Sequence, residues 1–243
     1  MNLKYIGFIC DYLNFKKLSR KSNRRFGFRW KDRYPCLNEK IPSHDIEPHY
    51  TYHPAWAARI LAQVNPEIHI DISSSLSFCT IVSAFVPVKF YEYRAANLNL
   101  DNLSSESADL LNLPFEDESI ESLSCMHVVE HIGLGRYGDI LDPDGDLKAI
   151  SELKRVLAVG GSLIFVVPIG KPKILFNAHR IYSYDQIADY FAELELKEFS
   201  LITEDNEKGG LLRHATKEMA DQEVYGCGCF WFKKEGRSWE PYK

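Results

Sequence analysis

The sequence contains no apolar run long enough for a bilayer. Its longest apolar stretches, residues 3–10, 76–88, 120–126 and 162–169, fall well short of the roughly 20 residues a spanning helix needs, so no transmembrane helix is expected. A C-x-x-C pair is also missing. The six cysteines, Cys10, Cys36, Cys79, Cys125, Cys227 and Cys229, are scattered among mostly apolar neighbours and read as reduced, small core residues, which argues against a zinc-knuckle or redox motif. The first residues carry one early Lys, a short apolar run and then a basic stretch, with no small-residue cleavage site. That is not a secretory signal, and a cytoplasmic protein is expected. Internal repeats and low-complexity tracts are absent too.

What is present is 243 residues with 45% hydrophobic side chains, enough to bury a sizeable single core. Charge is unevenly placed. Residues 1–33 hold ten Lys/Arg against two acids, a balance of +8 that leaves −13 for the remainder of a chain whose net charge is −5. Such a start suits peripheral contact with phosphates or an anionic surface, or a solvated helix on an acidic body. Nothing in the pattern calls for nucleic acid, and the oligomeric state is open. Pro35, Pro42 and Pro48 interrupt residues 1–50, which read as a basic extension, with 51–243 as the main domain.

Within that domain a helix is expected over 53–63, with Pro54 in its first turn. Short apolar runs then alternate with helical stretches, which predicts βα units on a parallel sheet. The strand candidates are 68–72, 88–93, 120–126, 162–167, 196–203 and 224–233; the helix candidates are 76–85, 146–157 and a segment starting at Ser183. Gly160 and Gly161 mark the turn before the fourth strand. In the last run Tyr225, Cys227, Cys229 and Trp231 share one face, and Gly226, Gly228, Phe230 and Phe232 the other.

In an open parallel sheet, ligands lie outside the carboxyl ends of the strands. Asp71 ends the first candidate strand, and Glu92, 21 residues on, ends the next. A carboxylate there suits a pair of ribose hydroxyls, because each of its oxygens accepts hydrogen bonds. Three further segments are distinctive: Leu113-Pro114-Phe115-Glu116-Asp117-Glu118-Ser119, then Val128-Val129-Glu130-His131-Ile132, then Glu152-Leu153-x-Arg155-Val156-Leu157-x-x-Gly160-Gly161. They resemble the "LPF-x-D-x-S", "H-V-L-E-H-I" and "E-x-x-R-V-L-x-P-G-G" segments of class I, S-adenosylmethionine-dependent methyltransferases of the type-11 kind. Residues 53–59, 124–146 and 177–180 resemble a branch of that superfamily found in nematodes and in bacterial surface-polysaccharide gene clusters.

The resemblance implies a doubly wound α/β fold with a mostly parallel, seven-stranded sheet, residues 224–233 lying antiparallel between their neighbours. It implies S-adenosylmethionine as cofactor, held by Asp71, Ser73, Ser75, Glu92, Asp109 and Leu110, with Asp109 at the adenine. The reaction it implies is methylation of a hydroxyl on a sugar or polysaccharide precursor. His127, His179 and Asp139 are candidate bases, and Arg136, Tyr137, Asn177 and Arg180 are candidate acceptor residues. One departure stands out. Where the superfamily shows D-x-G-x-G-x-G, this chain reads Asp71-Ile72-Ser73-Ser74-Ser75-Leu76-Ser77, with Ser at all three glycine positions. Glycine there permits positive φ and close approach, so a non-catalytic binding module that has lost its cofactor is the alternative.

His127-x-x-Glu130-His131 also matches the inverted zinc-peptidase pattern, which would make a zinc hydrolase. That motif belongs inside a helix, whereas this one follows directly on a strand and meets Gly133 and Gly135 soon after, and no resident metal is expected. The acidic loop 133–146 lacks the glycine spacing of a calcium-binding EF-hand.

Overall fold

The computed structural model describes residues 3–20, 26–40, 46–205 and 210–236. Two compact units divide at Ile46 and Glu47. The first contains helix α1 (Leu3–Ser19) and a single 3-10 turn at Trp30–Asp32. It is held by rings: Tyr12 stacks on Phe28 at 4.6 Å and meets the Trp30 ring edge-on at 4.7 Å. Cys10 and Cys36 of this unit are exposed, unlike the four buried cysteines of the second unit, so the expectation of core cysteines fails for these two.

The second unit opens with α2 (Pro48–Val64), five residues earlier than expected. Pro48 occupies the first helical position, where a missing N–H costs nothing, and Glu47 caps the helix by accepting from Tyr50 N–H at 2.6 Å. Pro54 therefore lies inside the helix rather than in its first turn. Then follow β1 (His69–Ile72), α3 (Leu76–Val82), β2 (Val88–Glu92), β3 (Leu103–Ser107), β4 (Ile120–Met126), α4 (Gly145–Val156) and β5 (Leu157–Gly170). A hairpin of β6 (Lys173–Leu175) and β7 (His179–Ile181) comes next, then α5 (Tyr184–Tyr190), β8 (Glu195–Ile202), β9 (Leu211–Leu212), α6 (Lys217–Ala220) and β10 (Tyr225–Lys233).

The main sheet runs β3-β2-β1-β4-β5-β10-β8-β9. The first five strands are parallel, and β10 lies antiparallel between β5 and β8, as the resemblance implied. The seven expected strands gain an eighth, because β9 adds a two-residue edge antiparallel to β8. Gly160 and Gly161 form a bulge within β5 rather than a turn before it. The register with β4 slips there, Gly160 takes φ +81°, and a Cβ on Gly161 would stand 2.8 Å from Ala158 O.

Helices cover both faces. Ala149, Ile150, Leu153 and Val156 of α4 and Ile187 of α5 join Phe230 and Phe232 in one core layer. Trp56, Ile60 and Leu61 of α2 and Phe78, Cys79 and Val82 of α3 join Cys227 and Cys229 in the other. The alternation read in 224–233 thus describes the two faces of β10. At Gly228 a Cβ would lie 2.3 Å from Ile169 Cγ1, so a side chain at that position would displace Ile169. Arg155 of α4 fastens the Leu113–Asp117 segment to the body. Its guanidinium donates to Leu113 O (3.1 Å), Phe115 O (2.8 Å) and Asp117 Oδ1 (2.8 Å) while paired with Glu152. Glu152 in turn accepts from Leu113 N–H at 2.9 Å. That is the physical content of the E-x-x-R spacing.

Candidate functional site

The carboxyl edge of the parallel strands gathers most of the singled-out residues. At the end of β1, Ser73 takes φ +54°, the left-handed region that the glycine pattern would occupy. Its N–H and its hydroxyl both donate to Tyr91 O, at 2.7 and 3.2 Å, which clamps the turn to β2 one residue before Glu92. Ser75 departs from the glycine path. It has φ −103° and sits at the N-cap of α3, yet its side chain makes no capping hydrogen bond. The Ser74 hydroxyl accepts from Met126 N–H at 3.0 Å.

Asp71 is fully buried. It accepts from Ser74 N–H at 3.0 Å and from the Ser124 hydroxyl, so it braces the loop from behind. Burial, partly countered by those donors, lifts its pKa to about 6. Behind it, His69 Nε2 lies 2.8 Å from Ser124 Oγ and His69 Nδ1 2.8 Å from Ser122 Oγ. The sequence reading missed this buried relay, and a His beside an end-of-strand Asp was its only signal. Glu92 ends β2 half-buried, one oxygen accepting from Tyr93 N–H at 2.9 Å. Asp109 lies exposed just beyond β3, accepting from Leu111 N–H at 2.9 Å, while the Leu110 side chain is buried. The ends of β1, β2 and β3 are thus adjacent and carry Ser73, Glu92 and Asp109 in order.

Beyond β4 lies a cluster of imidazoles. His127 follows Met126 directly, with φ +57° and its N–H on Val166 O at 2.8 Å. Its Nδ1 meets Glu130 Oε1 at 2.8 Å and its Nε2 meets Cys227 Sγ at 3.4 Å. Rings from the first turns of α2 close around it: His49 stacks at 5.7 Å, His53 meets it edge-on at 5.0 Å and Tyr50 lies at 5.3 Å. His179 on β7 packs on Tyr225 at 5.4 Å, its Nε2 buried and without a hydrogen-bond partner, as is Glu130 Oε2. Burial favours neutral forms throughout. It lowers His49 and His127 to about 4 and His53 to about 3, and raises Glu130 to about 7.

The structure separates the candidates of the acceptor side. Asp139 spends its carboxylate on the amides of Gly133 (2.7 Å), Gly135 (3.2 Å) and Tyr137 (3.2 Å), which hold it in its ionised form as a loop brace and leave it a poor proton acceptor. Arg180 is 4% exposed. It donates to Ile132 O (2.7 Å) and Pro143 O (3.0 Å) and pairs with Asp146, so it ties the loop down and does not present itself to an acceptor. Asn177 is the left-handed turn residue of the β6–β7 hairpin (φ +62°). Arg136 and Tyr137 are exposed and stack on each other. The zinc-peptidase pattern does not form: Val129–His131 is a single 3-10 turn, and His131 Nδ1 is engaged by Ala178 O at 2.6 Å. Among the described residues, the metal-type donors that converge are instead His49, His127 and Cys227, their ligand atoms all within 4.8 Å of one another.

A 3-2-1-4-5 parallel order with an antiparallel strand inserted before the last, and a loop, an acid and a second acid on successive strand ends, define a class I methyltransferase fold. Solved structures agree. The YcgJ protein of Bacillus subtilis superposes with TM-score 0.51 at 16% identity, covering 76% of this chain and all of that one. A putative sarcosine dimethylglycine methyltransferase of Galdieria sulphuraria gives 0.53 at 12% identity, covering 76% and 86%. Geranyl diphosphate C-methyltransferase of Streptomyces coelicolor, solved with S-adenosyl-L-homocysteine, gives 0.52 at 13%, covering 74% and 77%. At these identities the likeness establishes the fold. The chain itself belongs to the family described as "Caenorhabditis protein of unknown function, DUF268", which matches residues 101–224, just over half its length. An uncharacterized protein of Methanocaldococcus jannaschii is 32% identical over 79 residues, which is 31% of this chain and only 29% of that protein. No helix among the described residues is long and apolar enough to cross a membrane.

Proposed function

We propose that the chain is an S-adenosylmethionine-dependent methyltransferase acting on a hydroxyl of a sugar or surface-polysaccharide precursor. The observation that carries the reading is the turn at Ser73, a serine held at φ +54° and clamped to β2 beside Glu92. A non-glycine residue in that region costs of order 1–2 kcal/mol. At Ser73, though not at Ser75, the chain thus holds the left-handed backbone that the glycine pattern would supply. The choice of acceptor rests on the resemblance of residues 53–59, 124–146 and 177–180 alone. A cytoplasmic location and peripheral contact through the basic residues 1–33 belong to the same proposal.

S-adenosylmethionine supplies a methyl group on a sulfonium centre. Glu92 accepts from the ribose hydroxyls with the oxygen that Tyr93 N–H leaves free. Asp109, exposed on the next strand end, meets the adenine amino group. His179 is the base in this reading: its Nε2 has no partner and its imidazole is kept neutral by burial, and acceptor entry must open access to that buried nitrogen. His127 is less free for this work, since both its nitrogens are engaged.

Titration calorimetry of the full chain with S-adenosylmethionine and S-adenosylhomocysteine tests the reading. Saturable binding of one equivalent is expected, and no binding to either ligand overturns it. One observation favours the second reading, a cofactor-free binding module: the Ser73 and Ser74 hydroxyls are spent inside the protein and Ser75 leaves the glycine path. Binding gained only in Ser73→Gly would select that module.

A further inference from the structure

We propose that His49, His127 and Cys227 form a zinc site with an open fourth position at the carboxyl edge of the sheet. The site stands whether or not the chain transfers methyl groups. Two imidazoles and a thiol are the donor types that zinc prefers, and three protein ligands are the complement of sites that keep one position for water or substrate. The geometry suits one ion. With Zn–N near 2.0 Å and Zn–S near 2.3 Å at a tetrahedral angle, a nitrogen and a sulfur on the same ion stand about 3.5 Å apart, and His127 Nε2 lies 3.4 Å from Cys227 Sγ. The His49 donor lies within 4.8 Å of both, so a side-chain movement of about 1 Å completes the set.

The surroundings are those of a built ligand sphere. Glu130 Oε1 meets His127 Nδ1 at 2.8 Å, the carboxylate–histidine pairing that orients a ligating ring and directs the lone pair of its far nitrogen. That far nitrogen is the one facing Cys227. His127 is also held in the left-handed backbone region at φ +57°, a strained placement that persists only where the surrounding structure dictates it and that collects at functional sites. Glu130 is buried with Oε2 unpartnered, a cost that a nearby dication offsets. Binding would form two Zn–N bonds and one Zn–S bond in place of water ligands of the ion, and would release the Cys227 thiol proton to solvent.

The test uses the full chain purified from zinc-supplemented medium and assayed by elemental analysis. The apo chain is then reconstituted with cobalt(II), whose thiolate charge-transfer absorption reports sulfur ligation. One zinc per chain and a cobalt–thiolate band are expected, with both lost in Cys227→Ser and both kept in Cys36→Ser, which alters an exposed cysteine. Glu130→Gln is expected to weaken zinc affinity roughly 10–100-fold in a competitive chelator titration. If Cys227→Ser fails to fold, alkylation of the wild type decides instead: zinc should shield the Cys227 thiol under mild unfolding, and equal labelling with and without zinc overturns the site. No zinc and no band in the folded wild type, or zinc retained in both Cys227→Ser and His49→Ala, overturns it as well.

Discussion

His69 and Asp71 share one hydroxyl. Ser124 Oγ donates to Asp71 Oδ2 and lies 2.8 Å from His69 Nε2. Ser124 therefore accepts from His69 Nε2–H, and because burial keeps His69 neutral its Nδ1 is left to accept from Ser122 Oγ. With His69 neutral, the donors point one way along the relay, toward the carboxylate that braces the Ser73 turn.

The two ends of this relay give opposite pH dependence. Burial lowers His69 to about 3 from 6.5, so between those values the unfolded chain binds the extra proton and stability falls as pH falls. Burial raises Asp71 to about 6 from 3.8, so there the folded chain holds the proton and stability falls as pH rises. Denaturant unfolding of metal-free protein between about pH 4 and 6 is expected to show His69→Gln lowering the slope of stability against pH by up to one proton, about 1.4 kcal/mol per pH unit. Asp71→Asn should raise the slope by a similar amount. Unchanged slopes in both variants would remove the relay's titration from the account.

Glu92→Ala is expected to weaken S-adenosylmethionine binding by about 1.5–3 kcal/mol, because the ribose hydroxyls lose a charged acceptor. Asp109→Ala should cost less. Calorimetry measures both, and equal affinity of Glu92→Ala and wild type takes Glu92 out of the site.

Glu198 of β8 is a second buried carboxylate, on the face of the sheet that α2 covers. It is 4% exposed and accepts from Trp56 Nε1 (2.9 Å), the Ser200 hydroxyl (2.7 Å) and Arg213. Burial acts against its charge, yet these donors prevail and hold it at about 2. Glu198→Ala strands the indole N–H and is expected to lower stability by about 3 kcal/mol, the modest end for a broken buried pair since Arg213 is partly exposed. Thermal and denaturant unfolding measure it.

Arg155→Lys is expected to loosen residues 109–117 without unfolding the chain. A lysine cannot reproduce a planar fork that donates to two carbonyls and two carboxylates at once. Hydrogen exchange should quicken at Leu113 N–H, which bonds to Glu152, while β5 amides keep their protection.

The parallel strands were legible because buried strands read as unbroken apolar runs. β3 was not: its residues are Leu-Ser-Ser-Glu-Ser, and only Leu103 is buried on that edge. The β6–β7 hairpin escaped for a similar reason, its first strand being wholly exposed. At the site, Asp71 and Glu92 were legible from the ends of the apolar runs and their spacing, whereas Asp109 followed from the resemblance alone. The place of Arg180 was not legible, because sequence cannot distinguish a cation facing a ligand from one buried against carbonyls. The His127–Cys227 contact joins residues 100 positions apart, a convergence that only the β10 insertion creates.

The loop after β4 is sewn down from both sides, by Asp139 onto its own amides and by Arg180 onto Ile132 and Pro143. A ligand arriving at this edge meets backbone that is already ordered, so little conformational freedom is left to lose on docking. Under the proposed function, selectivity there would work by shape matching on a fixed surface, and changes of Asp139 or Arg180 would be felt as slower, looser recognition through the loop they brace.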